Sequence, residues 1–335
     1  MLMLANGDLW SALEKPVHGV EVARVGWGAR EAVAVPAADG IPGIWLCNAE
    51  TGGLPPVLQR VFVPDGEVKT VQQGGRNVGV RYTDAFADYV LLMGVGPSDL
   101  TVSRSAQTTS AFENLEAALV GEGFSFKDVV RTWLYMDRIL EWYDELNRAR
   151  DAFFESRRIF GGFVPASTGI GSANLTGSAI MTGAIAMRPK TPQTFKAMLD
   201  SPLQCSALDY RSSFSRAAEM VTPHARTVFV SGTASIEPGG ATAYLNDPKR
   251  QVALTMEVVS AILGTRNMTL RDTSRAIAYI KRPEYRVAWQ EWLWAHHLPA
   301  TFAQEVIADV CRDDLLFELE LDAVQRLHPT QVDRG

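Results

Sequence analysis

The hydrophobic and polar positions follow the same order of elements twice, in residues 89–188 and again in residues 227–323. Each copy opens with a short apolar strand that ends in glycine, at residues 90–94 and 228–232. A segment with apolar residues three and four positions apart follows in both copies, and this spacing predicts a helix. A second strand, a second helix and a closing strand complete each copy. The pattern therefore predicts two β-α-β-α-β units.

Short motifs recur at matching places in the two copies. Asp-x-x-Arg-x-x-x-Tyr occurs at residues 128–135 and 272–279, and a proline-alanine step precedes each closing strand, at residues 165–166 and 299–300. The alternative, chance similarity between two ordinary α/β units, is disfavoured by the number of matched landmarks. The duplicated order predicts the α/β fold class, with helices packed on mixed sheets.

The composition along the chain predicts its division into domains. Residues 1–75 are rich in glycine and proline and predict short strands, around residues 20–35, 44–47 and 57–63. We therefore expect a reduced, β-rich N-terminal segment at 1–75, a first unit at 76–188, a linker at 189–209 and a second unit at 210–325.

Composition and charge exclude several classes of function. The chain has 335 residues, of which 47% are hydrophobic and 21% charged, as expected for a globular protein. Its formal charge of -6 argues against a general nucleic-acid surface, which needs a basic face to displace counterions from phosphates. No apolar run approaches the roughly 20 residues of a membrane span, and the N-terminus lacks the cationic region of a signal peptide. With three widely spaced cysteines, Cys47, Cys205 and Cys311, the sequence favours a cytoplasmic location without nucleic-acid or membrane partners.

Familiar catalytic motifs do not occur in the sequence. Neither an HExxH motif nor paired CxxC motifs are found, which disfavours a metal site. The glycines of residues 169–171 are followed by Asn174 where a dinucleotide fingerprint needs glycine, so a Rossmann cofactor site is disfavoured. A P-loop and a GxSxG nucleophile elbow are also missing.

The closing strand of the second copy carries the strongest candidate chemistry. Residues 315–322 alternate between an apolar face and a face that carries Glu318, Glu320 and Asp322. One interpretation is an ordinary half-buried strand with its acids in water. The other is a buried functional site, because the matching strand of the first copy, residues 179–186, has no acid and the fold does not demand one.

Cys311 lies seven residues before Glu318 and follows an apolar run at residues 306–310. A straight strand would place residues seven apart on opposite faces. If the two side chains share a pocket, the chain must turn at residues 312–314, which have the residue types of a turn.

Three motifs of the second copy resemble those of the chorismatases, whose units are built like the YjgF/RidA fold. The motifs are FSRA at residues 214–217, VSGTASI at 230–236 and CRxxLLFE at 311–318. The resemblance extends over residues 76–325, whereas residues 1–75 match only by position. It implies a YjgF/RidA-like pseudo-trimer within one chain, with the N-terminal segment as its reduced third part, and it favours a monomer.

The resemblance also implies a function. Chorismatases remove the enolpyruvyl side chain of chorismate as pyruvate, and no metal or organic cofactor is implied. Chorismate is a dianion with an enol ether, so its cleavage needs cationic groups for two carboxylates and an acid that protonates the methylene carbon. Glu318 is the expected general acid and base, because its apolar neighbours Phe317 and Leu319 should raise the pKa of its carboxyl group.

Arginines are the candidate contacts for the substrate carboxylates. Arg150 and Arg157 lie seven apart on the predicted second helix of the first copy, on the same face as Tyr143, and Arg216 belongs to the FSRA motif. The planar fork of arginine can bind a carboxylate through two hydrogen bonds. A surface ion pair is the alternative for each of them.

Two positions bear on the product. The resemblance implies that 3-hydroxybenzoate-forming chorismatases have glycine and cysteine where the hydrolysing type has alanines, and here these residues are Gly232 and Cys311. They favour 3-hydroxybenzoate, formed by an intramolecular displacement through an arene oxide, with Cys311 as a weak hydrogen-bond group. The hydrolytic product, 3,4-dihydroxycyclohexa-1,5-diene carboxylate, is the alternative. A strand-ending turn would also explain Gly232, as it does its counterpart Gly94.

Two further functions stay open on the same scaffold. A YjgF/RidA-type imine deaminase would have an arginine after the proline-alanine step, where this chain has Ser167 and Thr301. A non-catalytic protein that binds small acids is the other alternative, because a fold does not establish activity.

Overall fold

The structure is a computed structural model that describes residues 30–36, 42–48, 59–62, 68–174, 176–207 and 213–327. The N-terminal segment contributes three antiparallel strands in the order β1-β2-β3, with bounds Arg30–Pro36, Pro42–Asn48 and Gln59–Phe62. These strands overlap the ones predicted around residues 20–35, 44–47 and 57–63. The rest of that prediction lies outside the described residues.

The first unit is a six-stranded sheet with two helices. Its strands are β4 Val68–Gln73, β5 Arg76–Thr83, β6 Ala87–Val95, β7 Val129–Met136, β8 Ala166–Gly171 and β9 Ile180–Pro189. Its helices are α1 Arg104–Gly121 and α2 Tyr143–Ser156. The strand order is β4-β5-β6-β9-β7-β8, and only β7 and β8 pair in parallel.

The second unit repeats this arrangement. Its strands are β10 Phe195–Leu199, β11 Ala217–Val221, β12 Ala225–Ala234, β13 Thr273–Ile280, β14 Gln304–Ile307 and β15 Phe317–Arg326, and its helices are α3 Pro248–Gly264 and α4 Arg286–Ala295. The order β10-β11-β12-β15-β13-β14 matches the first sheet strand for strand, including the single parallel pair β13-β14. The predicted tandem of α/β units is therefore confirmed.

Each unit starts earlier than the sequence predicted. β4 precedes the expected boundary at residue 76, since the turn at Gly74 and Gly75, both with positive φ, folds it back onto β5. β10 lies inside the predicted linker 189–209 and pairs with β11. Both are edge strands at the end of their sheet, so neither shows the continuous apolar run of the central strands.

The helices form where a cap and an apolar stripe coincide. Ser103 accepts a hydrogen bond from the Ala106 N–H at the start of α1, and Asp247 does the same for the Arg250 N–H at the start of α3, where Pro248 occupies the first helical turn. The inward stripes bury, among others, Phe112, Leu115, Met256 and Val259 against the sheets. Each helix pair thus covers one face of its own sheet.

The opposite face of the first sheet packs against the second unit. Trp133, Met181 and Ile185 share a buried cluster with Met220 and Phe229 of the second sheet. The helices do not cover these faces of β7 and β15, but the contact between the units removes their side chains from water. This contact between the units provides the setting of the candidate site.

Candidate active site

Glu318 is buried between the two units. It lies near the start of β15, a central strand, where it is opposite Ala234 of β12 and Tyr279 of β13. Glu318, Glu320 and Asp322 are only 4%, 0% and 3% exposed, so the interpretation of a solvated acidic face is wrong. Burial, assisted by the negative charge of Glu320, raises the pKa of Glu318 to about 8.

Glu320 and Asp322 are held by two arginines, one from each unit. Arg131 Nη2 lies 2.6 Å from Glu320 Oε2, and its Nη1 lies 3.5 Å from Asp322 Oδ1. Arg275 bonds Glu320 as well, and its Nη1 lies 3.2 Å from Asp322 Oδ2. Trp133 Nε1 also donates to Glu320, at 3.2 Å. We call Arg131, Arg275, Glu320 and Asp322 the buried quartet.

The buried quartet gives Glu318 and Glu320 very different pKa values. Burial alone would raise the pKa of Glu320, but Arg275 and Arg131 overcome it and lower that pKa to about 2. At neutral pH Glu320 is therefore ionised, whereas Glu318 is mostly protonated. Such a divergence between adjacent carboxyl groups is a mark of acid–base sites.

Position 232 needs glycine for a different reason than position 94, its counterpart in the first unit. Gly94 has a φ of 68°, a backbone conformation that favours glycine, whereas Gly232 is outside the positive-φ region. A Cβ at Gly232 would collide with the Glu318 carboxyl and lie 3.1 Å from Thr168 Cγ2. Gly232 also lies inside β12 at a bulge, not at a strand end, so the turn interpretation does not account for it.

The structure brings Cys311 and Tyr143 to the same site. Burial and the nearby Glu318 raise the pKa of the Cys311 thiol to about 12, while Arg312 and a hydrogen bond with Tyr143 work in the opposite direction. The thiol is therefore protonated at neutral pH and is a poor nucleophile. The Leu315 N–H donates to the Arg312 carbonyl at 3.3 Å, in the turn that the sequence required between Cys311 and Glu318.

The three candidate arginines differ in their surroundings. Arg150 is 2% exposed, and its Nη2 donates to Asn147 Oδ1 at 2.8 Å. Among the described residues, no carboxylate lies within ion-pair distance of Arg150, and its Nε has no hydrogen-bond partner. Arg216 is also buried, and its Nε donates to the Cys205 carbonyl at 3.0 Å.

Arg157 has a carboxylate partner on the surface. Helix α2 ends at Ser156, so Arg157 follows the helix, and its Nη2 lies 2.8 Å from Glu116 Oε2. Its guanidinium also lies over the Phe153 ring, 4.2 Å from the centroid. Of the two arginines proposed from the helical spacing, only Arg150 is buried without such a partner among the described residues.

Sequence reasoning missed Arg131, Arg275, Thr168 and the role of Glu320. The two arginines were visible as the matched positions of the repeated Asp-x-x-Arg-x-x-x-Tyr motif, but that motif served only as a landmark of the repeat. Their convergence on one carboxylate depends on how the two sheets face each other. Thr168 had no signal in the sequence beyond its place after the proline-alanine step.

Comparison with known proteins gives relatives in both sequence and structure. A 3-hydroxybenzoate synthase of Streptomyces hygroscopicus is 27% identical in an alignment 292 residues long, which covers 78% of this chain and 79% of the relative. A crystal structure of a chorismatase superposes with a TM-score of 0.59 at 20% identity, over 76% of this chain and 80% of that chain. The protein YJGH matches at 18% identity and a TM-score of 0.31, over 40% of this chain and 97% of its own. No family model matches the chain.

Two sheets of the same strand order, with an acidic site where they meet, define a tandem α/β protein with YjgF/RidA-like units. The resemblance to chorismatases noted in the sequence is thereby confirmed, by a relative in sequence and by the fold of a solved chorismatase. No helix in the described part of the chain combines the length and hydrophobicity of a membrane span.

Proposed function

We propose that this protein converts chorismate into 3-hydroxybenzoate and pyruvate, with Glu318 as the general acid. The observation that carries the proposal is the buried Glu318 carboxyl, with a pKa raised to about 8, beside Gly232 and Cys311. Such a group holds a proton at neutral pH and can transfer it to a weakly basic carbon. The similarity to the 3-hydroxybenzoate synthase supports this substrate and product.

Arg150 and Arg216 are the proposed anchors for the substrate carboxylates. Arg150 is the stronger candidate, because a buried guanidinium is costly unless an anion accompanies it, and the described residues offer none. A substrate carboxylate would supply that anion through a bidentate contact. Tyr143 lies seven residues earlier on the same helix, next to Cys311, and would flank the bound ring.

In the proposed reaction, Glu318 transfers its proton to the methylene carbon of the enol ether. The ring hydroxyl oxygen then displaces the side-chain oxygen from the adjacent ring carbon, and the electron pair of the broken bond leaves with pyruvate. The attacking hydroxyl keeps its proton, so the arene oxide forms in its protonated state. It opens to a ring cation that bears the hydroxyl group, and this cation loses a ring proton, which the Glu318 carboxylate accepts. Chorismate is thus divided into 3-hydroxybenzoate and pyruvate without net consumption of water.

Hydrolysis to the dihydrodiol is the second candidate. It would use the same proton transfer, but one water molecule would be consumed and the ring would keep both oxygens. Gly232 and Cys311 favour the water-free route, because the family resemblance associates this pair with 3-hydroxybenzoate. The partly buried Cys311 thiol also packs against apolar side chains of both units, which limits the room for water.

The test is to incubate the purified protein with chorismate and identify the ring product by chromatography, with pyruvate measured in parallel. We expect 3-hydroxybenzoate and pyruvate in equal amounts. The dihydrodiol as sole product would assign the hydrolytic reaction. Absence of pyruvate release would contradict both.

A further inference from the structure

Thr168 connects the first unit to the chemical groups of the second. It lies in β8, and its hydroxyl accepts hydrogen bonds from the Gly232 N–H at 3.0 Å and from Arg131 Nη2 at 2.9 Å. The same hydroxyl donates to Glu320, which contributes to the low pKa of that carboxyl. One side chain therefore touches the glycine beside Glu318 and two members of the buried quartet.

The bulge in β12 makes this contact necessary. The pairing of β12 with β15 shifts between Val230 and Thr233, so Gly232 lies where the ladder of backbone hydrogen bonds is interrupted. The partly buried Gly232 N–H needs another acceptor there, and the Thr168 hydroxyl provides it from the other unit. The Gly232 backbone is thereby held against the Glu318 carboxyl, leaving no room for a Cβ.

The fold itself does not require a hydroxyl at this place. Thr168 lies opposite Trp133 in the pair β7-β8, and the position equivalent to it in the second unit is Gln304, opposite Ile277 in β13-β14. Gln304 is exposed, and among the described residues its side chain makes a single long contact, with the neighbouring Glu305 carbonyl at 3.4 Å. The buried threonine is thus specific to the cleft that contains Glu318.

We propose that Thr168 is a positioning residue for the reaction, whose hydroxyl fixes the Gly232 bulge and with it the place of the Glu318 carboxyl. The inference rests on the proposed function. Thr168 acts through Gly232 and Glu320 and contributes no proton to the substrate. Its role separates into two parts, because the hydroxyl carries the hydrogen bonds while the methyl group fills the space beside Gly232.

Two substitutions distinguish these parts. Thr168→Val keeps the shape and removes the hydroxyl, whereas Thr168→Ser keeps the hydroxyl and removes the methyl group. We expect Thr168→Val to lower kcat about tenfold with little change in KM, because the Gly232 N–H and Arg131 lose their acceptor and Glu320 loses a donor while the shape of the side chain is kept. Thr168→Ser should retain most of kcat.

The matched control is Thr132→Val in β7. The Thr132 hydroxyl is equally buried and donates to Ser167 Oγ at 2.9 Å, but it contacts neither Gly232 nor the quartet. We expect kcat to be unchanged in this variant. An equal fall in Thr132→Val, equal falls in Thr168→Val and Thr168→Ser, or no fall in Thr168→Val would each overturn the proposal.

A second measurement is independent of turnover. The carboxyl stretch of protonated Glu318, assigned by its loss in Glu318→Gln, can be titrated by infrared difference spectroscopy. We expect its titration to move to lower pH in Thr168→Val, because a loosened bulge admits water to the carboxyl, and to stay in place in Thr168→Ser. If the wild type releases no pyruvate, the proposed function fails; if this titration is the same in all variants, the role of Thr168 fails.

Discussion

At the scale of single residues, the site depends on two glutamates two positions apart that differ in proton affinity. Both are buried on the same face of β15, but only Glu320 contacts Arg131 and Arg275. Glu318 is instead buried beside the negative charge of Glu320, and both effects raise its pKa. The chemical difference between them comes from their neighbours, since the residue type is the same.

Replacement of the acid is the most direct test of its role. Glu318→Gln preserves the shape of the side chain and should fold and bind chorismate, yet lose pyruvate release by a factor of about 100 or more, because the transferable proton is gone. Pyruvate release at saturating chorismate measures this. Turnover near the wild-type rate would remove Glu318 from the mechanism.

The pH dependence of kcat/KM follows from the same group, because this ratio reports pKa values of the enzyme before the substrate binds. The protonated form is the acid, and the pKa is about 8, so activity should be nearly constant around neutrality and decline as pH rises through about 8. Glu320 is ionised throughout this range and should add no further step. Initial rates at chorismate concentrations well below KM measure the decline across the alkaline range, and a kcat/KM that rises there would contradict an acid role.

Product choice should depend on Gly232 and Cys311. A methyl group at position 232 would displace the Glu318 carboxyl, the movable end of a side chain, and loss of the thiol at 311 would open space beside it. We expect Gly232→Ala with Cys311→Ala to shift the product toward the dihydrodiol, as measured by chromatography. If 3-hydroxybenzoate stays the sole product, these positions do not control partitioning.

At the scale of elements, the closing strands of the two units differ at the position of the proposed acid. β9 and β15 occupy the same place in their sheets, but where β15 has Glu318, the matching position of β9 is Met181. Met181 belongs to the apolar cluster between the units. The acids of β15 are tolerated there because the buried quartet pairs two of them with arginines.

The quartet should therefore be needed for stability. Arg131→Met leaves Glu320 and Asp322 with Arg275 alone, and breaking a buried pair in this way costs about 3–5 kcal/mol in free energy of unfolding. The control is Arg157→Met, whose surface pair with Glu116 should contribute less than about 1 kcal/mol. Urea denaturation measures both, and similar losses would contradict the role assigned to the quartet.

At the scale of the whole molecule, the candidate site belongs to neither unit alone. The first unit supplies Tyr143, Thr168 and Arg131, whereas the second supplies Gly232 and Glu318. Hydrogen bonds cross between them, as from Arg131 to the Val230 carbonyl at 2.9 Å. The distance between the proposed proton donor, Glu318, and the proposed substrate anchor, Arg150, is thus set by the packing of one unit on the other.

Substrate binding should accordingly depend on a helix of the unit that lacks the acid. Arg150→Ala should raise KM for chorismate about tenfold to a hundredfold with a smaller change in kcat, because a charge-assisted contact is lost. Arg157→Ala should leave KM within about twofold, since its guanidinium is engaged by Glu116. Steady-state kinetics measure KM for both variants. An effect of Arg157→Ala as large as that of Arg150→Ala would contradict the choice of Arg150 over Arg157 as the anchor.

The sequence by itself determined the order of elements and the tandem of units, because apolar spacing and capping are local properties that repeat in both copies. It also singled out Glu318, Gly232 and Cys311 through motifs shared with a known family. It placed the first residues of each unit too late, since the edge strands β4 and β10 lack a strong apolar pattern.

Only the tertiary structure decided what the alternating acids of β15 face. Alternation places Glu318 and Glu320 on one side of a strand, but whether that side meets water or another sheet depends on the packing of the units. The convergence of Arg131 and Arg275, the hydroxyl of Thr168 and the opposite pKa shifts all arise from residues far apart in the chain. Electrostatic environment is a property of three-dimensional neighbours, so it cannot be deduced from local sequence patterns.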